Sequence, residues 1–159
     1  MKASASASAA VATRRSARDI QRRTSCTASA RSTNRQPPIS AQVKGDALLP
    51  ARIELLPELA PGLVGLSEFD RIWCIFVFHL NRGHGLTVRS PRDRDGEHGL
   101  FATRSPHRPN LIGLSCLRLV GVEGSVLHVL GVDILDHTPV LDVKPYVPYA
   151  DAFPGARAG

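Results

Sequence analysis

Cysteine is scarce in this sequence, and its spacing excludes more than its number does. The 159 residues contain Cys26, Cys74 and Cys116, far apart and with no C-x-x-C pair. Three scattered cysteines cannot build a disulfide framework and lack the ligand spacing of a zinc site, so reduced thiols in a cytosol-like compartment are expected. Long apolar runs are missing too. The longest, Ile72 to Phe78, falls far short of the roughly 20 residues a membrane helix needs. No N-terminal apolar stretch reads as a secretory signal. No G-x-G-x-x-G opens a helix after a strand, and neither G-x-x-x-x-G-K-[ST] nor G-x-S-x-G occurs. The Rossmann, P-loop and nucleophile-elbow signatures are therefore absent.

Acids are rare at one end only. Residues 1–40 carry eight basic side chains against the single acid Asp19, whereas residues 41–159 carry twelve basic and thirteen acidic ones. The formal charge of +6 thus belongs to the N-terminal arm. Residues 1–30 are rich in Ala, Ser and Arg with few large apolar side chains, and such a segment buries too little surface to offset its ordering entropy. A disordered basic arm is expected there. The same composition suits an organelle transit peptide or a non-specific nucleic-acid arm. The remaining length has room for one domain with one core.

No segment keeps a 3.6-residue apolar period for three turns. Short β-prone runs separated by Pro and Gly predict strands instead, at Arg52–Leu55, Arg71–His79, Leu86–Arg89, Gly99–Thr103, Gly113–Val120, Ser125–Leu130, Val132–Leu135 and Pro139–Val143. Pro57–Phe69 is expected to be irregular, with one helical turn. The run Arg71–His79 is β-branched or aromatic at nearly every position, which predicts a strand buried on both faces. Glu123-Gly124 marks a hairpin turn. Asp93–His98 lacks the ligand spacing of a calcium loop and reads as a solvated turn. Many short strands with frequent turns predict a mainly β barrel or sandwich.

Three segments are candidates for chemistry. In Thr103-Arg-Ser-Pro-His-Arg-Pro-Asn110, Pro106 and Pro109 hold a loop that carries Arg104, His107 and Arg108. Its guanidinium forks match carboxylate or phosphate oxygens; alternatively, one pairs with a core aspartate and the other is solvated. In the second segment, Asp136, Thr138 and Pro139 fit a turn held by side-chain hydrogen bonds, and Asp142 and Lys144 share a strand face where they can pair. The third, Asn34-Arg35-Gln36 before Pro37-Pro38, reads as an extended loop. His79 ends the apolar strand, either as a satisfied strand-end histidine or as a functional one.

The stretch Gly99-Leu-Phe-Ala-Thr-Arg-Ser-Pro-His-Arg-Pro-Asn-Leu-Ile-Gly-Leu-Ser115 resembles the TsaA-like family. The likeness continues through Gly131–Tyr149 and upstream through Gly65–His79 and Arg35-Gln36-Pro37, covering about residues 33–153. It implies a single small β-barrel domain with short helical turns over residues 31–155, behind the arm at 1–30. It also implies an S-adenosyl-L-methionine-dependent enzyme that methylates N6 of threonylcarbamoyladenosine at tRNA position 37. The family's cofactor pocket falls on Asn34, Arg35, Gln36, His79, Leu80, Arg104, Leu114, Leu130, Gly131, Val132 and Asp133. Arg108 and Lys144 are the expected tRNA contacts, and the anticodon loop the expected partner. A homodimer in the cytoplasm, with neither membrane nor metal, completes the expectation. The family's first strand falls near Ile20–Cys26. The sequence departs from the pattern at Asn34, Leu111 and His137, which stand where the family has proline, proline and glycine. The alternatives are a non-catalytic RNA-binding or dimerisation module of this fold, or a methyltransferase for another RNA or a small molecule.

Overall fold

The computed structural model describes residues 50–89 and 96–157. The basic arm, the first strand expected near Ile20–Cys26, the Asn34-Arg35-Gln36 turn and part of the loop 93–98 lie outside the described residues.

The molecule is mainly β, as its alternating short runs predict. Among the described residues seven strands follow one another as β1 (Pro50–Glu54), β2 (Arg71–Val77), β3 (Thr87–Arg89), β4 (Glu97–Gly99), β5 (Ile112–Glu123), β6 (Val126–Leu130) and β7 (Val140–Pro145). One helical turn, α1 (Pro148–Asp151), closes the described chain. The main sheet has the order β1-β6-β5-β2-β7 with every pair antiparallel, and β3 and β4 form a separate ribbon. Its outer strands, β1 and β7, share no ladder among the described pairings, so the described strands form a sheet rather than a closed ring.

β5 is the spine. Residues Ile112–Arg118 pair with β2 and residues Arg118–Glu123 with β6. The two neighbours are therefore staggered along a strand of about 40 Å. A register shift between Leu119 and Gly121 adds local twist. The hairpin to β6 turns at Gly124, whose φ of 58° suits a residue without a Cβ.

Alternation decides which face is inside. Ala51 and Ile53 of β1, Ile72, Cys74 and Phe76 of β2, Leu117 and Leu119 of β5, and Leu127 and Val129 of β6 form one core with Val132 and Val140. The expectation that Arg71–His79 is buried on both faces is corrected here. The strand ends at Val77, and its residues alternate between buried and half-buried. Its outer side is covered only in part, by Tyr146 edge-on to Trp73 at 5.6 Å and by Asp151, which accepts a 3.1 Å hydrogen bond from Trp73 Nε1.

Two predicted strands are absent. Leu100–Ala102 is a 3-10 turn, because Leu100 plugs the interior and its carbonyl accepts hydrogen bonds from both the backbone and the hydroxyl of Thr103. Val132–Leu135 is irregular, because Gly131 takes φ 82° at the end of β6 and breaks the ladder. Pro57–Leu63 and Leu66–Glu68 are 3-10 turns, more helical than the one turn expected.

Gly113 stands opposite Phe76, and a Cβ at this glycine would fall within the Phe76 ring. Gly113→Ala is expected to lower unfolding stability by about 1–3 kcal/mol through overpacking, measured as a fall in the urea midpoint. An unchanged midpoint would contradict this packing.

Candidate active site

The arginine loop is built by its own backbone. Arg108 Nη1 donates to the carbonyl of Thr103 at 2.8 Å and, at 3.5 Å, to that of Leu100. The guanidinium carbon lies 5.6 Å from the centroid of the exposed Phe101 ring. Ser105 Oγ accepts from the amide of His107 at 3.3 Å, and the Leu111 amide donates to the Arg108 carbonyl at 3.3 Å. Leu111 has φ 48°, a value proline cannot adopt. Neither reading of the two guanidinium groups holds unchanged. Arg108 is engaged with its own loop rather than with a core aspartate, while Arg104 is exposed and forms no ion pair among the described residues.

This loop meets the end of β2. The Phe78 amide donates to the Leu111 carbonyl at 2.8 Å, and the Val77 amide to the Pro139 carbonyl at 3.0 Å. His79, half-buried, and Leu80, 67% exposed, follow at once. Beyond them the Nδ2 of Asn81 is buried with no hydrogen-bond partner among the described residues. A buried amide donor left unpaired is costly, so it marks a place where an acceptor is wanted.

The segment after β6 runs back along β5 as far as Ser115. Val132 is buried in the core, and Asp133 is exposed and accepts a 2.6 Å hydrogen bond from the hydroxyl of buried Ser115. The turn predicted at Asp136–Pro139 is present. Asp136 Oδ1 accepts from the His137 amide at 3.0 Å, and the Thr138 amide donates to the Leu135 carbonyl at 3.3 Å. His137 occupies φ 57°, the left-handed region that glycine fills more cheaply.

The structure thus joins Ser115 to Asp133 beside β5 and sets His79, Leu80 and Asn81 just past the end of β2. It places other expected residues elsewhere. Leu114 is 52% exposed on the opposite face of β5 from Ser115, and Leu130 projects to that same outer side, out of step with buried Leu127 and Val129. Lys144 lies across from Trp73 on β7, with its Nζ 2.7 Å from Asp142 Oδ2, the pairing their shared strand face predicts. Both partners are well exposed, so the pair adds little stability. Asn34, Arg35 and Gln36 lie outside the described residues. On the outer face, burial raises the Cys116 thiol above its usual pKa, with Arg71 pulling the other way; a raised thiol is a poor nucleophile at neutral pH.

Sequence reasoning missed Ser115 and Asn81. Ser115 was legible in principle, since the alternation of Gly113, Leu117 and Leu119 puts it among inward-facing residues. Asn81 gives no such signal, because it lies outside any alternating run.

Among the described residues no helix is long and apolar enough to cross a membrane, and no cluster of three or more His, Cys, Asp or Glu could hold a metal ion. The model of the family described as the tRNA-methyltransferase O N-terminal domain matches residues 22–152. A probable S-adenosyl-L-methionine-binding protein of Pyrococcus abyssi is 44% identical over 122 residues, covering 77% of this chain and 65% of the relative. The tRNA (adenine(37)-N6)-methyltransferase of Mus musculus is 45% identical over 118 residues, covering 72% and 27%. A crystal structure of TrmO from Pseudomonas aeruginosa superposes with a TM-score of 0.60 at 38% identity, covering 86% of this chain and 58% of that one. The chain therefore spans less than two thirds of the length of each of these relatives.

Ser115→Ala removes the hydroxyl that holds Asp133. The expected loss is about 1 kcal/mol of unfolding free energy, read from the urea midpoint, with Ser115→Thr losing less. Equal stability of the alanine and wild-type proteins would show that the hydrogen bond is not formed.

Proposed function

The chain belongs to the tRNA-methyltransferase O N-terminal domain family, and from that premise we propose that it methylates N6 of adenosine 37 in tRNA. In this reading S-adenosyl-L-methionine is the methyl donor and threonylcarbamoyladenosine the acceptor form. The observation that carries the reading is the Asp133 carboxylate, fixed by Ser115 on the segment that continues from β6, together with the unpaired amide of Asn81 just past the end of β2. A methionine-bearing nucleoside has a carboxylate, hydroxyls and ring nitrogens, and this donor and acceptor set suits all three.

When bound, the cofactor supplies an electrophilic methyl group on a sulfonium; the side chains here supply position. Arg104, exposed on a braced loop, holds a carboxylate or ribose oxygen. His79, Leu80, Leu114 and the run Leu130, Gly131, Val132, Asp133 complete the pocket with Asn34, Arg35 and Gln36 of the preceding turn. Alignment of donor and acceptor contributes most of the acceleration in such a transfer. The N6 lone pair is delocalised into the purine ring and the attached carbamoyl, so a hydrogen-bond acceptor on the N6–H raises its nucleophilicity and can receive the proton that must leave as the new N–C bond forms and the S–C bond breaks. The Asp133 carboxylate, held through one oxygen by Ser115, is suited to that task.

Adenosine 37 lies in a single-stranded loop, where a base can be read without opening a duplex. Lys144 and Arg108 contribute positive charge toward the anticodon loop. The residues of the pocket occur on more than one face of the sheet, which favours a homodimer in which a second copy meets the outer side. Leu114 and Val120 are exposed there. Residues 31–155 act as one methyltransferase domain in the cytoplasm, with residues 1–30 as a basic arm.

Arg104→Ala is expected to weaken S-adenosyl-L-methionine binding at least tenfold by calorimetry, in line with a lost charged hydrogen bond of about 1.5–3 kcal/mol. Wild-type affinity in that variant would end the pocket assignment. The second expectation concerns the acceptor. Methyl transfer, followed by mass spectrometry of tRNA nucleosides, should require tRNA already carrying the threonylcarbamoyl group, and equal transfer to unmodified tRNA would refute it.

A further inference from the structure

Phe101 is out of place by ordinary rules. Its neighbour Leu100 is 1% exposed and fills the interior, whereas Phe101 is 76% exposed. Phenylalanine is among the residues most often buried, and nothing in the core needs this ring outside. Arg108 lies over the ring with its guanidinium fixed by the Thr103 carbonyl, so the ring and the guanidinium form a platform that is already ordered. The two are joined by Pro109, Asn110 and Ile112 around an open cleft of about 210 Å³. That is below the roughly 300–1,000 Å³ of pockets for drug-sized ligands. One flat ring system fits it, and a whole sulfonium nucleoside does not.

Each lining group suits a nucleobase. An exposed aromatic ring offers a stacking face, and a guanidinium plane adds a cation to the stack. Exposed Asn110 presents an amide with both donor and acceptor, which can meet a base edge. Pro109 and Ile112 are apolar walls against which a ring can lie. The positive charge of Arg108 favours the phosphates that flank any such base. None of these groups belongs to the cofactor-pocket residues named above, and only Arg108 was already named as a tRNA contact.

We propose that the Phe101–Arg108–Asn110 cleft is a second RNA subsite, which stacks an unpaired anticodon-loop base next to the one being modified. It rests on the tRNA reading given above and deepens it, since it fixes the loop by one base while another is presented for reaction. Stacking of this kind tolerates any base identity.

The test uses the full chain and an anticodon stem–loop RNA, with binding followed by fluorescence anisotropy at several salt concentrations. Phe101→Ala is expected to weaken RNA binding roughly five- to hundredfold, the range for one lost base–aromatic stack. The salt slope should stay as in the wild type, because no phosphate contact is removed. Phe101→Tyr should restore binding, and the affinity for S-adenosyl-L-methionine should be the same in all three proteins. Because the ring is exposed, the alanine variant should keep the wild-type unfolding midpoint. Full RNA affinity in Phe101→Ala, with binding by the wild type intact, overturns the subsite and leaves the tRNA reading standing. Loss of cofactor affinity in the same variant moves the ring into the cofactor pocket and also overturns it. Failure of the wild type to bind the stem–loop at all removes the tRNA reading, and the subsite with it.

Discussion

The hydrogen-bonded ladder of β5 is the constraint on which the rest depends. One strand serves β2 along its first half and β6 along its second, so a single stretch of backbone sets where both neighbours end. The end of β2 releases His79 to Asn81 into the loop, and the end of β6 releases Gly131 to Asp133. The segment after β6 then runs back beside β5, where Ser115 catches Asp133. A shift of β5 by one residue would turn Ser115 outward and send its neighbours inward. The chemistry of the site is thus a matter of strand register before it is a matter of side-chain identity.

The arginine loop shows a different economy. Two prolines limit its conformations, and the remaining definition comes from hydrogen bonds to its own carbonyls. Arg108 is consumed largely by that task, whereas Arg104 is presented. A charged side chain can therefore be structural at one position and available four residues earlier, although both are arginines in the same braced loop.

What was legible in the sequence follows from which physical signals are local. Strand alternation is local, so β1, β2, β5, β6 and β7 were placed to within a few residues, and the Glu123-Gly124 turn was readable. The turn at Asp136–Pro139 was readable because its side chains bond to nearby backbone. Signals that depend on distant partners were not readable. Gly99–Thr103 looks β-prone, yet it turns because Leu100 finds room in the core. Val132–Leu135 looks β-prone, yet Gly131 ends the ladder first. The half-open outer face of β2 depends on which elements happen to cover it. Several pocket residues implied by family likeness were placed by the structure on different sides of the sheet, which pattern alone could not have shown.

The single tryptophan sits where the chain's last helical turn docks. Trp73 faces Tyr146 edge-on, and its indole N–H is held by Asp151, which also accepts from the Val147 amide that opens α1. An indole whose polar partner among the described residues belongs to α1 is an intrinsic optical gauge of one docking event. Its emission colour and quenching follow the seating of the C-terminal turn on the sheet, so detachment of that turn can be watched separately from collapse of the hydrophobic core.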